Sequence, residues 1–407
     1  MTYQHNGCGS PIDFEVVPEQ EEAWRDEITA MTVQLQEKRK PLQDGEVLRG
    51  VHPKSHGCLN ATFVVNKDLP DHMQVGLFQT PGRCFDAKIR YSNADVLKRA
   101  DIETKIATDG TKVMQHGSRG MAIKVLDVDA PVLLADGASQ NQDFLMVNTP
   151  EFAFRNVRDY RRLTAALLAS EDGATPDLFF LPAKLLELGV MDGQGKLAPV
   201  TSGASETVQR LRGLFESLDF VFSGYDSDDV QGVLSATDVV RKIQGTSVRN
   251  PLNATYFGAA PFRFGPDRVM RFSVTPCESG MSEPDLKSGE MEVLHADYLS
   301  RALNDSISKK QTIALSFWVQ IAAAANIDGR ELTLIENASS PWNEREFEPV
   351  EVAKLIIQPD QSQDLLDACK PLLFTPWHAL PAHTPLGGIN RLRKPVYSAS
   401  AQFRSTT

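Results

Sequence analysis

The sequence predicts an α+β fold, an eight-stranded antiparallel β-barrel with surrounding helices and a helical insertion between its strands. Three observations carry that expectation. Eight segments of strand length alternate or run apolar, a block of helical periodicity separates the fourth from the fifth, and an amphipathic helix precedes them all.

The leading helix is PEQEEAWRDEITAMTVQLQEKRK, from Pro18 to Lys40. It begins with acids, ends with bases as the helix dipole favours, and spaces Trp24, Ile28, Met31 and Leu35 along one face. Four strands follow: NATFVV from Asn60, CFDAKIRYS from Cys84, GMAIKVLDV from Gly120 and QDFLMV from Gln142. RNVRDYRRLTAALLAS, DLFFLPAKLLELGV and SETVQRLRGLFESL then carry helical spacing, with loops expected near 193–204 and 222–228. RVMRFSV from Arg268, TIALSFWVQ from Thr312, LTLIE from Leu332 and VAKLIIQ from Val352 complete the eight strands, and further helices are expected at EVLHADYLSRAL and SQDLLDACKPLL. No repeat or low-complexity tract interrupts the pattern. The chain therefore reads as one domain over 1–407: an N-terminal helical segment at 1–45, barrel strands at 46–149 and 250–360, a helical insertion at 150–249 and C-terminal helices at 361–407.

Composition narrows the function classes. With 53 acidic against 42 basic side chains and a formal charge of -11, the chain offers no overall field for nucleic acid or an anionic membrane, so any anion site must be local. The opening MTYQHNGCGSPIDFEVV has no basic segment ahead of an apolar one, and no run of eighteen apolar residues occurs, which makes a cytoplasmic location without a transmembrane segment the expectation. Five cysteines, at 8, 58, 84, 277 and 369, are odd in number, scattered and without C-x-x-C spacing; reduced thiols are expected.

Four stretches could carry chemistry. In NRLRKPVYSASAQFR, Arg393 and Tyr397 are four apart and share a face if helical, and an arginine beside a phenol favours the phenolate, a recognised ligand of haem iron. The bland alternative is a hydrogen-bonded tyrosine with its arginines in water. In LRGVHPKSHG, His52 is placed as an acid or base in a cavity or as a structural histidine, while the zinc-like spacing of His52 and His56 is broken by Pro53 and Gly57. In AKIRYSNAD, Arg90 and Ser92 alternate onto one strand face, where a buried guanidinium needs an anion inside the barrel. In QDFLMVNTPEFAF, Asn148 ends a strand in what is equally a turn.

Taken in chain order, these stretches resemble the haem catalase superfamily. RGVH from Arg49 to His52 matches the R-x-V-H of catalases, RYS from Arg90 to Ser92 their R-F-S, and RGMAIKV from Arg119 their R-G-F-A-V-K. VNTPEF resembles N-N-T-P-x-F, and the final R-x-x-x-Y with an arginine seven residues later is matched by Arg393, Tyr397 and Arg404. The resemblance implies haem b with Tyr397 as axial phenolate, Arg393 keeping it ionised, and Arg49, Arg90 and Arg404 clamping the propionates. It also implies His52 as the distal acid-base group with Ser92 on its far nitrogen, Val51 and Phe152 against the cofactor, and Asn148 near the peroxide. Departures matter as well: Val147 stands where catalases have their first asparagine, and Ala153 replaces the second of two phenylalanines. With the short segment after Tyr397, the pattern resembles the compact catalase-related branch of catalase-like peroxidases and allene oxide synthase, although Val51 is the residue of true catalases rather than the threonine of allene oxide synthase.

The resemblance thus implies a haem-dependent peroxide-cleaving oxidoreductase acting on hydrogen peroxide or on fatty-acid hydroperoxides, with a small organic reductant in the peroxidase case; catalases are commonly tetramers, but the shortened ends make a monomer or homodimer the expectation. The alternatives are a true catalase, a hydroperoxide isomerase of the allene oxide synthase kind, and a barrel that holds haem or another apolar anion without turnover.

Overall fold

Strict alternation sorts the strands into two faces, and the apolar face closes on itself. In the computed structural model, which describes residues 13–106, 112–135, 140–199, 205–278, 281, 296–361, 364–366 and 368–406, Leu59, Ala61, Phe63 and Val65 of one strand and Phe85, Ala87, Ile89 and Tyr91 of the next point into a common core. The strands are β1 (Ser55–Val65), β2 (Cys84–Asn93), β3 (Ile102–Ile106), β4 (Lys112–His116), β5 (Arg119–Val125), β6 (Gln142–Val147), β7 (Tyr256–Gly258), β8 (Phe262–Arg263), β9 (Arg268–Pro276), β10 (Ile313–Ala323) and β11 (Val350–Ile357). All pairings are antiparallel, and β10-β11-β1-β2-β5-β6-β7-β9 returns to β10, a closed ring of eight. Short β8 continues along the β9 edge beyond β7, while β3 and β4 form a separate hairpin.

The barrel is full. Phe144 meets Phe317 at 4.8 Å and Phe272 at 5.0 Å, both edge-on, and Phe63 meets Phe317 at 5.5 Å. No room remains inside for an anion, so the sequence-based placement of the Arg90 partner inside the barrel is corrected: Arg90 and Ser92 lie on the opposite parity from the core residues and face outward.

The helices are α1 (Glu21–Arg39), α2 (Val157–Ala169), α3 (Asp177–Glu187), α4 (Glu206–Ser217), α5 (Asp219–Phe222), α6 (Ser227–Gly245), α7 (Tyr298–Ser308), α8 (Ala324–Ile327), α9 (Glu331–Leu334) and α10 (Gly388–Thr406). Helices α2 to α6 fall between β6 and β7. They share an apolar core of their own around Leu163, Phe179, Leu185 and Val233. Asn156 caps α2 through the Asp159 amide at 3.0 Å, and Asp226 and Asp229 form a reciprocal capping box on α6.

Four expectations change. The LTLIE segment is the helical turn α9, and the eighth ring strand is the three-residue β7. The SQDLLDACKPLL segment forms turns, not a helix, at its described positions; residues 362, 363 and 367 lie outside them, as do residues 292–295 of the segment that leads into α7 and 200–204 of one expected loop. Its carbonyls are engaged elsewhere, Leu365 O with the Cys58 amide at 2.7 Å and Cys369 O and Leu372 O with Arg49, and Pro371 lacks an amide to continue a helix. Third, α6 begins at Ser227, inside the 222–228 stretch that was expected as a loop. Fourth, Cys58 and Cys369 are joined in a disulfide across a sequence separation of 311, whereas Cys84 and Cys277 are free and exposed. Spacing carries no signal for a bond between residues brought together by a barrel wall and a distant turn. Among the described residues no helix is long and apolar enough to cross a membrane.

Candidate cofactor site

Register builds the floor of the site. On the outer face Ser92 stands opposite Gly120 and Gly120 opposite Val147; one row down, Cys58 stands opposite Arg90, Arg90 opposite Ala122 and Ala122 opposite Leu145. Over these rows lies a cavity. Its roof is α10, which presents Arg393, Tyr397, Ser400, Ala401 and Arg404, and its sides are the 49–52 loop and Leu373 with Phe374.

Helix α10 is fixed at its start by a charge cage. Arg391 binds Glu21 at 2.6 Å and Glu336 at 2.8 Å and also reaches Glu15, while Glu15 and Glu336 accept the Gly387 and Gly388 amides at 2.7 and 2.9 Å. Asn390 ties the same turn to Pro261 O at 3.0 Å. Four-residue spacing then sets Arg393 and Tyr397 on one face in spite of Pro395 between them. The basic tail thus divides its labour. Arg391 is structural and Lys394 lies over Trp377 at 4.4 Å, leaving Arg393 and Arg404 for the cavity.

His52 has φ of 58°, a left-handed conformation that costs a residue with a Cβ about 1–2 kcal/mol. Three bonds hold it there. Its amide donates to Asp95 O at 2.8 Å, its carbonyl accepts from Arg90 Nη2 at 2.8 Å, and its Nδ1 lies 3.0 Å from Ser92 Oγ. Gly120 makes the ring's position possible: a Cβ there would fall 2.5 Å from His52 Cε1 and Nδ1 and 2.8 Å from Ser92 Oγ. Burial, reinforced by the positive charges of Arg90, Arg393 and Arg49, lowers the imidazole to about 3, so it is neutral near pH 7. His56, by contrast, turns away to Asn93 Oδ1 at 2.8 Å.

Burial and then Arg49 and Arg404 bring Arg90 down to about 9; burial and Arg404 bring Arg49 to about 10 against the opposing influence of Tyr397; and burial lowers Arg404. Arg49 Nη2 is held by the carbonyls of Cys369, Lys370 and Leu372 at 3.2, 3.2 and 2.7 Å. Arg393 donates to Asn390 Oδ1 at 3.3 Å and lies over the Phe152 ring at 5.5 Å. Among the described residues, no carboxylate forms an ion pair with any of the four.

The structure brings Arg49, Val51, His52, Arg90, Ser92, Arg393, Tyr397 and Arg404 to one cavity. Phe152 lies behind Arg393. Asn148 is not on the cavity wall: its Oδ1 accepts from the Arg119 amide at 2.6 Å and from Ser118 Oγ at 3.2 Å, and Val147 is the residue that faces the space. Sequence reasoning missed Gly120, Ala122, Leu145, Leu373 and Phe374. The outward parity of Arg90 and Ser92 gave a signal for the first three once the neighbouring strands are aligned; nothing local marked Leu373 or Phe374.

A closed antiparallel barrel with helices packed outside it is the catalase fold. Three solved structures share it at a TM-score of 0.55: a fungal catalase at 15% identity, a bacterial catalase at 14% and catalase A from Saccharomyces cerevisiae at 13%. Each alignment covers 88% of this chain and 59%, 57% and 61% of the respective catalase, so the chain matches about three fifths of their length. No family model matches the sequence, and no curated protein does.

Proposed function

We propose that the cavity holds haem b and that the protein is a catalase-related peroxidase which cleaves organic hydroperoxides. One observation carries the reading: Arg49, Arg90 and Arg404, three guanidiniums that pair with no carboxylate among the described residues, share a cavity with the Tyr397 phenol and a neutral imidazole. That donor set fits a dianionic porphyrin, with propionates answering the arginines and a hard phenolate oxygen available to a ferric ion. When bound, the ferric porphyrin supplies the redox chemistry by which a peroxide O–O bond is broken.

The chain's own residues do the rest. With its proton on Nδ1 toward Ser92 Oγ, His52 keeps the Nε2 lone pair free to accept the hydroperoxide proton and return it to the leaving oxygen. Ser92 and Gly120 fix the ring plane, and the Arg90 bond to the His52 carbonyl fixes its backbone. Arg393 lines the same cavity as Tyr397, one helical turn before it. Val51, Leu145, Met146, Val147, Leu373 and Phe374 give the remaining wall an apolar character, which suits an alkyl chain and leaves no amide at position 147 to orient hydrogen peroxide.

The test is direct. Protein expressed with ample haem supply is expected to be coloured, with a spectrum lost in Tyr397→Phe, and to consume a fatty-acid hydroperoxide faster than it releases oxygen from hydrogen peroxide. A colourless product, or rapid oxygen release with the lipid untouched, would overturn the respective part of the proposal.

A further inference from the structure

We propose that the Cys58–Cys369 disulfide is a redox-controlled latch on the cavity: its reduction by a dithiol frees residues 368–374 and speeds the loss of the anionic cofactor. This rests on the cofactor reading above. The bond lies within the site's own framework, because Cys58 stands opposite Arg90 in the β1–β2 register, and the two sulfurs pack in one cluster with Phe374, Ala122, Leu145 and Leu372.

The segment that Cys369 anchors forms neither helix nor strand, yet it supplies three things to the cavity. Its carbonyls at 369, 370 and 372 hold Arg49, and its Leu373 and Phe374 are wall. Beyond Phe374 a second anchor begins. Asp143 accepts the Thr375 amide at 3.1 Å and His378 Nδ1 at 2.8 Å, and is paired with buried Lys124 at 2.7 Å. The strap is therefore fastened covalently at one end and by an ion-paired cluster at the other. Opening the first end leaves the second in place, so the strap swings without the barrel unfolding.

Access fits a slow, selective reduction. Cys58 and Cys369 are 3% and 1% exposed, while Lys370, the next residue after Cys369, is exposed. A dithiol thiolate attacks one sulfur of the bond, the other sulfur leaves as thiolate, and the reagent's second thiol displaces the mixed disulfide. The dithiol loses two electrons and two protons and becomes a disulfide; Cys58 and Cys369 become thiols.

The experiment uses the full chain with Cys8→Ser, Cys84→Ser and Cys277→Ser, so that the pair is alone. Alkylation in denaturant without reductant is expected to label no thiol, and after dithiothreitol to label two. Haemin-loaded protein is then reduced, blocked with N-ethylmaleimide and mixed with apomyoglobin. Haem transfer is expected to be about tenfold faster than from the oxidised protein, as loss of the hydrogen bonds that position Arg49 would give, and equally fast without reductant when Cys58→Ser and Cys369→Ser are added. In the cofactor-free chain, reduction is expected to lower amide protection over 368–374 while Thr375 stays protected. Two free thiols at the outset, or unchanged transfer with both thiols open, would overturn the latch. Should neither form retain haemin, the cofactor reading falls, and amide exchange alone decides whether the strap is released.

Discussion

Acidification should reveal that His52 is held neutral, and by how much. Burial, opposed in the last two cases by hydrogen bonds or Asp101, lowers His52 to about 3 and His56 and His383 to about 4, from 6.5. Between pH 6.5 and 4 these three side chains bind protons in the unfolded chain that they refuse in the folded one, so stability falls as pH falls through that window. Each histidine costs about 2 kcal/mol at pH 5 relative to pH 8, about 6 kcal/mol together, and the loss from each levels off below its folded value. Urea unfolding of the cofactor-free protein, followed by tryptophan fluorescence from pH 8 to 5, measures the slope. Exchanging His52 for glutamine is expected to remove one of the three protons, taking about 2 kcal/mol out of the change between pH 8 and 5 and lowering the slope by up to about 1.4 kcal/mol per pH unit at the acid end, while the carboxylate contributions stay the same in both proteins. Equal slopes in the two proteins would mean that the imidazole titrates as freely in the fold as out of it, and the description of His52 as a neutral base would be refuted.

Three further outcomes follow from the site. Arg90→Met removes a buried cation without an anion, so the cofactor-free protein is expected to gain about 1–2 kcal/mol by chemical denaturation while haemin affinity, read by absorbance titration, falls at least about tenfold. Gly120→Ala places a methyl group against the His52 ring; we expect a loss of about 1–3 kcal/mol in stability and of about a hundredfold in hydroperoxide turnover at unchanged haem content. Val147→Asn restores an amide to the cavity wall, and the ratio of hydrogen peroxide to alkyl hydroperoxide turnover is expected to rise about tenfold, an unchanged ratio counting against a role for this position in substrate choice.

Seven of the eight ring strands were legible because they alternate over several residues, as in Phe85 to Tyr91, or run apolar, as in Gln142–Val147. The eighth, β7, is three residues and carries no period at all. LTLIE has the composition of a strand but folds as a helical turn that buries Leu334 against Trp342 and Phe347, a tertiary demand no local rule contains. The residues that line the cavity were legible as types at fixed intervals: a histidine after a polar turn, alternating Arg90 and Ser92, and Arg393 with Tyr397. What the sequence could not show was on which side of the barrel they would meet, since parity separates two faces without saying which is filled with phenylalanine. Likewise, Asn148 looked available for chemistry, but its oxygen caps the backbone of the neighbouring strand.

The cavity joins side chains 355 positions apart, from Arg49 to Arg404. Its floor belongs to strands that can pair early with near neighbours in sequence, whereas its roof arrives only after the whole intervening polypeptide has been threaded. A bound guest would therefore be the last piece enclosed, and it would tie remote segments together as a non-covalent crosslink. Assembly of the barrel and acceptance of the guest become separable stages, which a refolding time course with and without haemin would resolve as two phases.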